Sequence, residues 1–173
     1  MVRTTVVGSY PRIGDTHAEQ ALRRAIGRFD RGEATAADVL AAERETTRAV
    51  LEEQREAGLD LVTDGLVSWN DSQSHISRKL AGVEIGGLVR YFDTNTYYRQ
   101  PIVTGDVTWR SPILVEEWEF AHRASRVPVK AVLTGPVTLA RLALDRHYGK
   151  KRALALAFAD ALAEEVAALQ AAG

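Results

Sequence analysis

The chain has 173 residues, enough for one ordinary domain and too few for two of full size. Hydrophobic residues make up 46% and charged residues 26%, so a packed core is expected and disorder is not. Lys and Arg number 22 against 23 Asp and Glu, which leaves no basic excess for nucleic acid or an anionic membrane, and with no cysteine the chain has no disulfide, thiolate metal ligand or cysteine nucleophile of its own.

Thr4-Thr5-Val6-Val7-Gly8 is β-branched, short and closed by glycine, the pattern of a buried strand. Ser9-Tyr10-Pro11-Arg12 turns after it, because Pro11 cannot continue a ladder. A helix is predicted from about Ala18 to Phe29, broken at Gly32. A longer one opens at Thr35 or Ala36 and runs to about Ala57, with Gly58 as the residue just past its end. Leu59-Asp60-Leu61-Val62-Thr63 is a second strand, ended by Asp64-Gly65. A polar loop from Ser68 to Ser74 leads to a short helix.

Between Gly82 and Asp106 the pattern is ambiguous: Leu88 to Phe92 and Ile102 to Thr104 each read as strand, punctuated by Gly86-Gly87 and Pro101. Pro112 suits the start of a helix running to about Ser125. Val129 to Thr134 is the next strand, closed by Gly135-Pro136, and helices fill the rest, the last from about Lys150 to Ala172. Short strands, apolar on both faces and alternating with helices, predict a parallel α/β fold. Either a doubly wound sheet or part of a (β/α)8 barrel satisfies the pattern. A barrel needs eight strands and about 200 residues or more. About four strands are visible, so the chain reads as a first half. No linker or repeat divides it.

Polar residues gather after the predicted strands: Ser9 and Arg12 after the first, Asp64, Asn70 and Asp71 after the second, Asp106 after Ile102, and Thr134 and Thr138 around Gly135-Pro136. Parallel α/β folds place their active sites at those strand ends. Each residue also has a structural reading. Gly8-Ser9 and Asp64-Gly65 suit turns, Asn70-Asp71 suits a helix cap, and Arg99 suits a pair with Asp93 or Asp106. The histidines at 17, 75, 122 and 147 lie too far apart for a sequence-local metal pair, so no metal ligand is assigned. Tyr97-Tyr98, Trp109 and Trp118 read as packing, and no phosphate-binding glycine motif occurs.

Three stretches together resemble the cobalamin-independent methionine synthase family. They are Thr4 to Arg12 (TTVVGSYPR), Gln100 to Val107 (QPIVTGDV) and Val127 to Thr138 (VPVKAVLTGPVT), with Gly58-Leu59-Asp60 fitting between the first two. Tyr91-Phe92-Asp93-Thr94-Asn95 is similar to a stretch of that family's other, N-terminal barrel. The resemblance implies the N-terminal half of a (β/α)8 catalytic barrel, spanning residues 1–173. It implies transfer of a methyl group to the thiol of homocysteine, forming methionine; a soluble cytoplasmic protein is expected from the sequence itself, since Met1 to Thr5 lacks the apolar stretch of a signal peptide and no run approaches the roughly 20 apolar residues of a membrane span. The resemblance also implies zinc to hold the thiolate, with ligands from the half of the barrel beyond this chain. The methyl donor it implies is a folate or a methylcorrinoid protein. On its pattern Val7, Gly8 and Ser9 meet the amino-acid part of the substrate, while Arg99 and Asp106 occupy matching positions.

Three positions depart from the family. Leu66 stands where the family has a glutamate that contacts the substrate's amino group, with Asp64 two residues earlier as the nearest carboxylate in sequence. Thr96 and Leu142 stand at about the positions of the folate-contacting arginine and tryptophan. The substrate-binding set is therefore Val7, Gly8, Ser9, Asp64, Asn70, Asp71, Arg99 and Asp106, with no catalytic residue assigned. Three readings follow: half of a homocysteine methyltransferase, inactive alone; a non-catalytic half-barrel that pairs with a second copy or a complementary chain; or a related barrel methyltransferase acting on another thiol.

Overall fold

The structure, a computed structural model, describes residues 2–12, 14–17 and 19–173. Two compact units emerge, the first formed by Met1–Ser68 with Glu117–Val132, the second by Trp69–Glu116 with Leu133–Gly173. No helix among the described residues is long and apolar enough to cross a membrane.

The first unit carries α1 (Ala21–Asp30) and α2 (Ala36–Glu56). Ala18, where the first helix is predicted to begin, lies outside the described residues. Thr35 caps α2 in a full capping box: Asp38 N–H donates to the Thr35 hydroxyl at 3.2 Å, and Thr35 N–H donates to the Asp38 carboxylate at 2.7 Å. Gly58 follows with φ +75°, the left-handed conformation in which glycine costs least. Thr47, Val50, Leu51 and Gln54, spaced three and four apart, form the buried face of α2. Leu51 packs with Val62, Ala121 and Val129, and Val50 with Leu22 and Val67.

The three predicted parallel strands of this unit are realised as isolated bridges, Thr5 to Leu61 and Val62 to Val129, both parallel. Their order and direction follow the prediction; their length does not. Side chains replace the ladder at two points, Thr63 and Thr4. Gln54, fully buried, accepts from Thr63 N–H at 2.9 Å and donates to Thr63 C=O at 2.8 Å, taking both groups a neighbouring strand would use. Asp60 likewise accepts from the N–H and hydroxyl of Thr4, at 2.8 and 2.9 Å.

The second unit is built on a hairpin absent from the predicted scheme. β1 (Ala81–Arg90) pairs antiparallel with β2 (Tyr97–Thr108), and β2 pairs parallel with the two-residue β3 (Leu144–Asp145), in the order β1-β2-β3. The sheet is thus mixed, which corrects the all-parallel expectation, and β3 lies where only helix was predicted. The register shifts between Ala81 and Val83 and between Ile85 and Leu88. Gly86-Gly87 spans the second shift, opposite the segment containing Pro101, which has no N–H for the ladder.

Of the predicted strand from Leu88 to Phe92, the part from Tyr91 onward is the hairpin turn, closed by Tyr91 N–H to Thr96 C=O at 2.8 Å. Helices α3 (Ser74–Ser77), α5 (Pro136–Leu142) and α6 (Lys151–Ala172) complete the unit. Helix α4 (Val115–Ala124) begins three residues after Pro112. Ile113 and Leu114 N–H groups point instead at the carboxylate of buried Glu165 on α6, both at 2.8 Å.

Candidate functional site

In the first unit the chemistry gathers where the first two strand segments end. Thr63 hydroxyl donates to Gly8 C=O at 2.9 Å and accepts from Gly65 N–H at 3.2 Å. Tyr10 N–H donates to Gly65 C=O at 2.9 Å, and Lys130 Nζ donates to Val6 C=O at 2.6 Å. The segment Val6 to Tyr10 is therefore tied to the loop at Thr63 and Gly65 and, at Val6, to Lys130.

Within that segment Gly8 is buried, while Val7 (94% exposed) and Ser9 face solvent. A Cβ on Gly8 would sit 3.0 Å from Val132 Cγ2, so any larger residue requires the Val132 side chain to give by a few tenths of an ångström. Ser9 makes no hydrogen bond among the described residues, which leaves its hydroxyl and N–H able to receive a ligand. Half-buried Asp64 turns its Oδ1 onto its own loop, accepting from Leu66 N–H at 3.0 Å. Leu66 has φ +53°. Arg12, which follows the first strand segment in sequence, has its pKa lowered by burial, an effect Glu43 opposes.

In the second unit Asp71 is an anchor. Its carboxylate accepts from Gln73 N–H (3.0 Å), Ser74 N–H (2.6 Å), Ser74 hydroxyl (2.6 Å) and Arg99 N–H (3.1 Å). Asp71 lies two residues before Gln73, the N-cap of α3, so its carboxylate holds the turn that leads into the helix, and it also ties that turn to β2. Arg99 is exposed and meets this group through its backbone.

Asp106 pairs with His147 Nε2 at 2.9 Å, which replaces the predicted Arg99 partner. His147 is held by Asp145 Oδ1, which accepts from its N–H at 3.1 Å and from Tyr148 N–H at 2.8 Å. Burial raises the Asp145 pKa, but the N–H groups of His147, Tyr148 and Gly149 outweigh it and lower the pKa overall. Sequence reasoning missed the Asp106–His147 pair, because 41 residues separate the two and only the β2–β3 pairing brings them together.

A cavity of about 390 Å³ opens between residues 70–73 and the hairpin turn, with Asp71, Gln73, Tyr91, Thr96 and Tyr98 in its wall. Gln73 is 2% exposed. Tyr98 donates its hydroxyl to Leu142 C=O at 2.9 Å, and burial pushes its pKa up. The packing reading of the tryptophans also holds: Trp109 donates to Glu165 Oε2 at 2.8 Å and Trp118 to Val129 C=O at 3.0 Å.

Among the described residues no three His, Cys, Asp or Glu side chains stand together to hold a metal ion. With no cysteine in the sequence, the residues present do not fit the zinc centre that the resemblance implies. Of the eight predicted substrate residues, Val7, Gly8, Ser9 and Asp64 share the first unit's strand ends. Asn70, Asp71, Arg99 and Asp106 lie in the second unit, where Asp71 and Arg99 meet and Asp106 stands with His147.

The family model for the catalytic domain of cobalamin-independent synthase matches residues 2–173. A methionine synthase from Saccharolobus solfataricus is 32% identical over 174 residues, covering 100% of this chain and 50% of the relative. A 5-methyltetrahydropteroyltriglutamate–homocysteine methyltransferase from a Synechococcus strain is 33% identical, covering 98% of this chain and 22% of the relative. The chain thus spans half or less of the length of these relatives. A B12-independent methionine synthase from Shewanella, solved with selenomethionine, superimposes with a TM-score of 0.71 at 28% identity, over 82% of this chain and 42% of its own. A structure from Listeria monocytogenes shares the fold, with a TM-score of 0.73 at 22% identity.

Proposed function

The chain belongs to the cobalamin-independent methionine synthase family, as part of its catalytic domain, and from that premise we propose that it forms the acceptor-binding end of a thiol S-methyltransferase. In this reading residues 1–173 are the first half of a (β/α)8 barrel, working in the cytoplasm on homocysteine or a related thiol carboxylate. The observation that carries it is the clamp at Gly8. A buried glycine at a strand end, pinned through its C=O by Thr63 and followed by exposed Ser9, presents N–H and hydroxyl donors where a carboxylate can be held. Parallel bridges join the first strand segment to the second and the second to the third, and in parallel α/β folds active sites lie at such strand ends.

The chain's own residues bind and orient. Ser9 holds the acceptor's carboxylate, Gly8 lets it approach the backbone, and Thr63 fixes the peptide between them. Zinc held by the remainder of such a domain would keep the acceptor's thiol as thiolate. The donor, a folate or a methylcorrinoid protein, belongs to the same proposal, and so does pairing with a second copy or a complementary half. A second reading, an acceptor other than homocysteine, is favoured by Leu66.

The test is methyl transfer by the protein isolated from its source cells. It is supplied with zinc, each methylated donor and a panel of thiol carboxylates that includes homocysteine. An S-methyl product detected by mass spectrometry is expected. No product from any thiol with either donor overturns the proposal.

A further inference from the structure

Lysine is out of place in the third strand segment. Val127 to Leu133 is apolar except for Lys130, and a lysine in such a run costs solvation unless its charge is used. Its backbone is fixed: Lys130 N–H donates to Val62 C=O at 2.9 Å, and Val62 N–H to Pro128 C=O at 3.0 Å. The neighbouring Val129 packs with Leu51 of α2 and Ala121 of α4. Successive side chains of a strand alternate between faces, so Lys130 points away from those helices. It is half-buried, and its Nζ donates to Val6 C=O at 2.6 Å.

The carbonyl it takes is one that the ladder gives up. Continued past the Thr5–Leu61 bridge, a parallel ladder pairs Val6 C=O with Thr63 N–H. Buried Gln54 holds that N–H instead, at 2.9 Å. A cation thus stands where a neutral backbone donor is usual, two residues before Gly8. Charge-assisted hydrogen bonds are roughly twice as strong as neutral ones. Gripped at its C=O, the Val6–Val7 peptide is also polarised, and the N–H at its other end, on exposed Val7, becomes a stronger donor. Thr63 grips the Gly8–Ser9 peptide in the same way, through Gly8 C=O at 2.9 Å. Of the two holders only Lys130 carries a charge, and its sign favours an anion bound on this segment.

We infer that Lys130 is a positioning residue for the acceptor's carboxylate: through Val6 C=O it fixes and polarises the segment that carries Val7 and Ser9. The assignment rests on the proposed binding of a carboxylate at Ser9, and adds a residue that acts on that site through the backbone.

The test is calorimetric titration of the full chain with L-methionine and L-methioninamide, which differ only in the charge of the carboxyl end. At about pH 6 both amines are protonated. The wild type is expected to bind methionine roughly tenfold more tightly or better. Lys130→Met, checked for folding by circular dichroism, is expected to weaken methionine binding roughly tenfold and methioninamide binding less than about twofold. Lys130→Arg keeps a cationic donor and is expected to retain most of the affinity. Should Lys130→Met not fold, Lys130→Gln keeps a neutral donor and is expected to show the same selective loss, about threefold. A lysine that only supports the fold would weaken both ligands alike. Equal losses, or none for methionine, overturn the inference and leave the carboxylate site at Ser9 standing. No preference for methionine over its amide in the wild type, or binding of neither, overturns the inference together with that site. Methyl transfer, measured separately, decides the methyltransferase reading.

Discussion

Glu165 shows how a buried carboxylate is held by N–H groups. Its carboxylate, fully buried on α6, accepts three N–H groups, from Trp109, Ile113 and Leu114, each at 2.8 Å. Hydrogen bonds to an ionised group contribute about 1.5–3 kcal/mol, roughly twice a neutral pair. In Glu165→Gln an NH₂ faces an N–H, so one bond becomes a clash of donors and the others weaken. The variant should lose about 2–4 kcal/mol in urea unfolding. A loss under 1 kcal/mol would mean the carboxylate is not the acceptor of all three groups. Ser9 is the opposite case, an exposed side chain with no partner to lose. Ser9→Ala should leave the unfolding midpoint unchanged and weaken carboxylate binding by about 1 kcal/mol, the worth of one hydrogen bond. Unchanged affinity on calorimetry counts against its assignment.

At the scale of elements, side chains do work that longer strands would otherwise do. The Asp60 carboxyl is held below the usual range first by Thr4 N–H and then by the Thr4 hydroxyl. A folded pKa below the unfolded one means stability that is complete above the unfolded value, about 3.9, and lost as pH falls through the folded value. Amide protection at Leu61, whose N–H meets Thr4 C=O at 3.2 Å, should therefore fall below about pH 4 in exchange experiments. Asp60→Asn should abolish that acid step; the same onset in the variant would assign it to another group.

The hairpin offers a second contrast. Gly82 has φ +69°, and a Cβ there would lie 2.3 Å from Asp106 O and 2.6 Å from Gly105 O. Both are backbone atoms of the irregular stretch of β2 between Val103 and Thr108, so the chain itself must shift to admit a Cβ. Gly87, in the same strand, has nothing within 4 Å. Gly82→Ala should cost about 2 kcal/mol or more, against at most about 1 kcal/mol for Gly87→Ala in thermal unfolding. Equal costs would show that the bulge relaxes.

At the scale of the molecule, legibility follows the range of the interactions involved. Helices α1, α2 and α6 were readable because their signals are local: the Thr35 cap, Gly58 beyond α2, and apolar faces at three- and four-residue spacing. The order of the first three strand segments was readable too, since each is a short apolar run after a turn signal. Their reduction to bridges was not, because it depends on Gln54 reaching Thr63 from another element. The antiparallel hairpin was hidden by Gly86-Gly87 and Pro101, which look like loop punctuation and act as a bulge. At the candidate site, Gly8-Ser9 stood out as a strand end, while the Asp106–His147 pair depends on a strand of two residues.

The two units also set how perturbations combine. Gln54 and Thr63 lie in the first, Glu165 and its three donors in the second, and the two networks share no hydrogen-bond partner. Gln54→Leu leaves the N–H and C=O of Thr63 buried and unpaired, at about 1–3 kcal/mol for each group left unsatisfied. Substitutions without shared partners add to within about 0.5 kcal/mol when the protein unfolds as a single cooperative step. The double variant Gln54→Leu, Glu165→Gln should then lose the sum of the two single losses, with one urea transition seen alike by tryptophan fluorescence and circular dichroism. If the units instead open separately, Gln54→Leu moves only the transition reported by Trp118. Glu165→Gln then moves only the one reported by Trp69 and Trp109. Single-tryptophan variants separate the two outcomes, and a split transition would rule out cooperative unfolding of the 173 residues.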